Sequence, residues 1–250
     1  MWQDMEALAA LINRLVSSVP KVLRHRRRFY AWQDWNHLVS VGTGSVTIVA
    51  TIAACTGMIL ALQAAGQLER LGAVSYVANM VAITIVKELG PLLTAIILSG
   101  RSGAAFCAEL ATMQISEEVD ALEVIGIDPT RFLIWPKLIA MTLMLPVLTL
   151  IADFVGIVAG GLFSVAFLDL TLQTYFTQAV QFLTVGDVFA GLIKALGFGI
   201  SITIICCWQG LLARDGAADV GKRTTRAVVL SIFVIILLDF FFTAVNYVFK

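Results

Sequence analysis

Charge is what this chain has least of. Asp, Glu, Lys and Arg supply 14% of its 250 residues, while apolar types supply 59%. With a mean hydropathy of +0.91, too little polar surface is left to clothe a soluble globule of this size, so the sequence is that of an all-α integral membrane protein. Histidine is nearly missing, and both copies, His25 and His37, fall where an interface is expected and read as surface residues. The four cysteines, Cys55, Cys107, Cys206 and Cys207, form no CxxC pair and have no histidine beside them. They read as small buried hydrophobes rather than a metal site or disulfide. No HExxH and no GxSxG elbow occurs, so no catalytic residue and no metal ligand is assigned. Gly216 to Lys222 does spell G-x-x-x-x-G-K, but Arg223 stands where a phosphate loop needs Ser or Thr, and the setting is a short loop between apolar segments. We read that match as coincidence. Energy must then come from a partner or an ion gradient.

What is present is ordered along the chain. Residues 1–37 form a first region: Met1 to Val19 is amphipathic, with Leu8, Leu11, Ile12 and Leu15 set against Asp4, Glu6, Asn13 and Arg14, and it stops at Pro20 before Lys21, Arg24, Arg26, Arg27 and Arg28. A cleavable signal needs the reverse order. A helix in the cytoplasmic headgroup layer fits, anchored by Trp2, Tyr30, Trp32 and Trp35, with anionic lipid and no nucleic acid as the partner of its basic run. Residues 38–250 then hold five expected spans: Leu38 to Leu62, Ala73 to about Leu110, Leu138 to Leu168, Val188 to Leu212 and Ala227 to Phe249. The second is too long for one straight crossing, so it either breaks at Gly90-Pro91 or projects from the membrane. Gly42, Gly44 and Gly57 leave one side of the first span smooth, and Gly156 and Gly160 form a small-xxx-small pair in the third. Residues 169–186 hold no Lys or Arg and read as an amphipathic piece on the far side. Most of the 17 Lys and Arg then fall with the N-terminus, which puts that end in the cytoplasm and the C-terminus outside.

Charge reappears between Val86 and Lys137. Lys87, Glu88 and Arg101 interrupt an apolar segment, and no lipid-facing helix carries such groups cheaply, so they face protein, water or the membrane surface. Lys194, Asp153 and Asp239 raise the same question in later spans. Glu88 is expected to pair with Lys194 or Lys87. The acidic stretch that follows, from Glu117 to Asp128, predicts a helix over 116–126 capped by Ser116 or a neighbour and stopped by Gly126 and Asp128-Pro129. Val119, Leu122, Glu123 and Gly126 share one of its faces, as a helix seated in a partner's groove requires.

Lys87-Glu88-Leu89-Gly90-Pro91, then Gly100-Arg101-Ser102-Gly103, Ala108-Glu109 and Gly126-Ile127-Asp128-Pro129, resemble the MlaE/YrbE family, the permeases of MCE-type phospholipid ABC transporters. The likeness extends through Leu145-Pro146, Lys194, Thr224-Thr225-Arg226 and Leu238-Asp239-Phe240; Lys87 stands where the family carries Arg, keeping the charge without the bidentate fork. The resemblance implies a bacterial inner-membrane homodimer that moves phospholipid for outer-membrane lipid homeostasis. It implies a periplasmic MCE-domain hexamer, a separate ABC ATPase that holds ATP and Mg, and in some members a STAS-domain protein. This chain itself then needs no cofactor and is no enzyme. By the same resemblance Leu60, Lys87, Glu88 and Lys194 line the lipid site, Glu117, Glu118, Val119, Leu122 and Glu123 contact the ATPase, and Arg101, Glu109, Arg226 and Asp239 are structural polar groups. The alternative from the residues alone is an ion-coupled secondary transporter or channel, with Lys87, Glu88, Asp153, Lys194 and Asp239 as its relay.

Overall fold

Hydrocarbon offers the backbone no hydrogen-bond partners, so a chain this apolar must satisfy its peptide groups within each segment. The computed structural model, which describes residues 6–15, 17, 31–168 and 171–248, is helical throughout, with no strand among the described residues. Helix α1 (residues 6–15) is followed by α2 (Ala31–Leu68), α3 (Val77–Ile115), the short α4 (Glu118–Val124), α5 (Trp135–Phe167), α6 (Leu172–Phe182), α7 (Val185–Leu211) and α8 (Ala217–Val248). Helices α2, α3, α5, α7 and α8 are long and apolar enough to cross a membrane. The protein is therefore all-α and multi-pass. Lys21 to Arg28, His25, Trp2, Tyr30 and Lys250 lie outside the described residues, as do the side chains of Trp32 and Trp35. Helix α2 runs unbroken through positions 37 and 38.

Alternation of the five long helices gathers α1, α4 and the α7–α8 turn at one end, with Arg131, Lys137, Arg214 and Lys222. This is the basic end. The α2–α3 connection, α6 and the close of α8 form the far end.

Helix α3 does not break at Gly90-Pro91. Proline lacks an N–H and its ring crowds the carbonyl four residues earlier, and a π turn over Ile85–Leu89 widens the helix at that point, so that the helix stays continuous. A second π turn covers Ser99–Gly103. At 39 residues the helix is ~58 Å long, nearly twice the ~30 Å hydrocarbon layer. At its basic end Leu110 packs with Leu11, Leu15, Val119, Leu133 and Cys207. The apolar side of α1 is thus shared: Leu11 and Leu15 turn onto the protein, while Ile12 is 40% exposed.

The central core is built from Leu98, Met141, Leu145, Leu148, Phe198, Ile202 and Ile235. Helices α2 and α5 meet through their glycines. A Cβ at Gly57 would collide with the Gly156 carbonyl oxygen, and one at Gly160 would come within 3.1 Å of the Gly57 oxygen, so the small residues permit a close backbone approach. Cys107, Cys206 and Cys207 are buried in the core, whereas Cys55 is exposed. His37 is half-buried, its ring edge-on to Phe106 at 6.0 Å. It is a packing residue rather than a surface one.

Candidate functional site

The first π turn aims Glu88 into the bundle, where it meets Lys194, about two and a half turns in from the start of α7. Lys194 is 3% exposed and spends all three of its protons. It donates to Glu88 Oε2 at 2.7 Å, to Asp239 Oδ1 at 2.9 Å and to Thr243 Oγ1 at 2.8 Å. The Thr243 hydroxyl in turn donates to Glu88 at 3.1 Å, which closes a ring of bonds across α3, α7 and α8. Burying one ammonium is tolerable only because the ring satisfies every donor. The Lys194 and Asp239 side chains are 4% and 16% exposed, but that of Glu88 is 37% exposed. Glu88 is the open member, and two carboxylates on one cation leave the opening acidic.

Lys87 takes a different partner. It reaches Asp187 Oδ1 at 2.7 Å, so the expected pairing of Glu88 resolves to Lys194. Asp187 is already fixed by a capping box in which its N–H donates to Thr184 Oγ1 and its carboxylate accepts from the Thr184 N–H. Sequence reasoning missed Asp187 and Thr243. Their signals were the Thr184-x-x-Asp187 pattern at a span's start and the i, i+4 spacing of Thr243 from Asp239. Leu60 stands apart from both pairs. It lines a cleft of ≈ 140 Å³ between α2 and α3 with Gln63, Gln67, Met80 and Thr84.

The residues expected to be structural divide. Arg101 does tie α3 to α2, donating to Ser45 Oγ at 2.7 Å and to the Ser40 carbonyl at 3.3 Å. Gly44 serves this contact, because a Cβ there would occupy the space of the guanidinium. Glu109 accepts from Lys137 at 2.8 Å, and that ammonium, 1% exposed, also lies 5.7 Å from the Phe106 ring centre. Asp239 belongs instead to the Lys194 ring. Arg226 is exposed and lines a surface groove, and among the described residues no hydrogen bond or ion pair ties it to another helix. Asp153 packs against Gly90, and its Oδ1 has no hydrogen-bond partner among the described residues. The five groups of a supposed ion relay thus fall into two separate pairings and one isolated carboxylate.

The acidic helix is shorter than 116–126. Ser116 is not its cap, since its hydroxyl donates back to the Thr112 carbonyl at 2.8 Å. The chain turns instead at Glu117, in the left-handed region with φ 60, and α4 then runs from Glu118 to Val124. Its end is as expected: Gly126, with φ 80, and Ile127 donate back to Glu123 and Leu122 and close the helix. Val119 is buried in the cluster that also holds Leu11 and Leu15 of α1 and Leu110 of α3, and Leu122 is partly buried against the same cluster. Outward stand Glu117, Glu118, Asp120 and Glu123, with Val124 87% and Ile125 68% exposed. Glu123 also lies 3.6 Å from Arg14 of α1.

Gly216 to Lys222 enters the first turns of α8, which is no phosphate loop.

Five apolar helices that hold paired charges between them, with an acidic helix beyond one end, define a membrane transport subunit. The chain matches the family described as Permease MlaE over residues 35–245, and it belongs to that family. It is 39% identical over 206 residues to a probable ABC transporter permease protein of Rickettsia prowazekii, covering 82% of this chain and 80% of that one. A probable ABC transporter permease protein of Synechocystis is 41% identical over 202 residues, covering 80% and 76%. The chloroplast protein TRIGALACTOSYLDIACYLGLYCEROL 1 of Arabidopsis thaliana is 36% identical over 220 residues, covering 88% and 63%. The protein is a transporter permease of the ABC type.

Proposed function

We propose that this permease moves phospholipid between a bacterial inner membrane and a periplasmic MCE-protein ring, as a homodimer driven by a separate ATPase that holds ATP and Mg. Its N-terminus is cytoplasmic and its C-terminus periplasmic, and the transport serves outer-membrane lipid homeostasis. The observation that carries this reading is the Lys194 ring, with Glu88 as its open side. A phospholipid needs a polar station for its headgroup inside walls that suit acyl chains, and a saturated ion-pair ring in an apolar bundle supplies one without an unpaired charge in hydrocarbon. The Leu60 cleft, with Gln63 and Gln67 beside apolar Met80, has the same mixed character. The name of the Arabidopsis relative, taken from a diacylglycerol lipid, agrees. On the acidic face beyond α4, Glu118, Ile125 and Val124 form the surface offered to the ATPase. Some assemblies would add a STAS-domain protein.

The test is lipid-stimulated ATP hydrolysis by the reconstituted permease–ATPase complex. Glu88→Gln removes one charge-assisted hydrogen bond of about 1.5–3 kcal/mol, and Leu60→Trp fills the cleft. Both should reduce phospholipid stimulation roughly tenfold while the complex stays assembled. Full stimulation in both variants would refute the site.

A further inference from the structure

Asp153 stands near the middle of α5, 7% exposed, and its Oδ1 finds no hydrogen-bond donor among the described residues. A glycine lets that oxygen reach the backbone of α3. A Cβ on Gly90 would land on Asp153 Oδ1, and the same Cβ would come 3.0 Å from the Ile85 carbonyl oxygen. Two acceptor atoms thus flank one spot at the π turn over Ile85–Leu89. The Ile85 carbonyl already accepts from the Gly90 N–H, but a carbonyl oxygen has two lone pairs and takes a second donor. Two such oxygens at one spot call for a hydrogen between them.

The helices around Asp153 offer it no countercharge. On α3, Lys87 is taken by Asp187, Glu88 by Lys194, Glu109 by Lys137, and Arg101 by Ser40 and Ser45. The charged residues of α7 are those same Asp187 and Lys194, and α5 itself adds only Lys137, ~24 Å away along the helix. Helix α2 has no charged residue between His37 and Leu68, and its Cys55 is exposed. Cys107, Cys206 and Cys207 sit toward the basic ends of α3 and α7. From α6 comes only the Tyr175 hydroxyl, which lies against Gly160, two turns further along α5. A hydrated cation does not fit either, because the crevice that Gly90 shares with Ala152 and Thr94 measures ≈ 10 Å³, room for about one water. An ionised carboxylate enclosed in this way takes a proton instead.

We propose that Asp153 is a proton-binding site, a carboxylic acid that donates to the Ile85 carbonyl and so clamps α5 onto the π turn of α3. Because that turn aims Glu88 into the bundle, Asp153 is a positioning residue for the Lys194 ring. The proton is held whatever the permease transports.

The experiment compares infrared spectra of the full-length permease and its Asp153→Asn variant at neutral pH, and follows the thermal unfolding of both from about pH 5 to 7. The wild type should show the carbonyl stretch of an un-ionised carboxyl, and Asp153→Asn should lack that band. An unfolded aspartate ionises near pH ~3.9, whereas folded Asp153 keeps its proton. The folded state then binds the extra proton, so stability falls as pH rises through this window. Relative to Asp153→Asn, whose amide donates the same bond without titrating, the wild-type folding equilibrium should lose about tenfold per pH unit. Asp153→Ala, which has no donor, should unfold below Asp153→Asn. A wild-type spectrum without the band, parallel pH profiles, or equal midpoints for the alanine and asparagine variants would each overturn the proposal. A wild-type midpoint raised by sodium or potassium, with Asp153→Asn unmoved, would overturn it in favour of a cation site.

Discussion

Lys194 is bound on three sides, and this saturation ranks the substitutions around it. Lys194→Ala strands Glu88 and Asp239 without their cation, a loss of ~3–5 kcal/mol for a broken buried pair. Thr243→Val removes a hydroxyl and leaves both ion pairs standing, at about 1–3 kcal/mol. Thermal denaturation of the purified permease should therefore place Lys194→Ala well below Thr243→Val; the reverse order would mean that the ring is not what holds α3, α7 and α8 together. Single residues were the least legible part of the sequence. Lys194 and Glu88 were visible because charge in an apolar run has few explanations. Asp187 and Thr243 were not, since a polar residue near a span's end looks like any interfacial residue until a partner is brought to it from another helix. Gly44 read as a packing glycine and proved to be the space for Arg101, a role that depends wholly on a contact across helices.

At the scale of elements, the long helices could be read from hydropathy because hydrocarbon permits little else. Their starts could not: α2 and α8 each begin before the expected apolar run, where polar residues continue the helix past the membrane. Of the two readings offered for the second span, the break at Pro91 fails and the overlong continuous helix holds, as a π turn absorbs the crowding that would otherwise kink it. For α4 the stop was legible in Gly126, but the start rests on a left-handed Glu117, which no side-chain preference announces. The face assignment also changed, because Val119 is buried in the cluster shared by α1, α3 and α7. Glu118→Lys combined with Ile125→Ser should then cut ATPase association at least tenfold in a pull-down. Val119→Ala should lower permease stability by about 1–3 kcal/mol through lost packing in that cluster. If Val119→Ala disrupts association while the outward pair does not, the outward face is not the docking surface.

For the whole molecule, five crossings place α8's two ends on opposite sides of the membrane. Single cysteines at Asp219 and Lys250, exposed to an impermeant maleimide on intact cells, should label at Lys250 and not at Asp219, as the basic end facing the cytoplasm requires. The opposite pattern would invert the account.

The central claim is that phospholipid passes by the Lys194 ring, and transfer itself tests it. Proteoliposomes holding the permease with its ATPase, a labelled phospholipid and an MCE-domain protein as partner should exchange label in an ATP-dependent way. Glu88→Gln should slow that exchange roughly tenfold while the complex remains intact. Transfer by Glu88→Gln at the wild-type rate, or no ATP-dependent transfer by the wild type, would contradict the account.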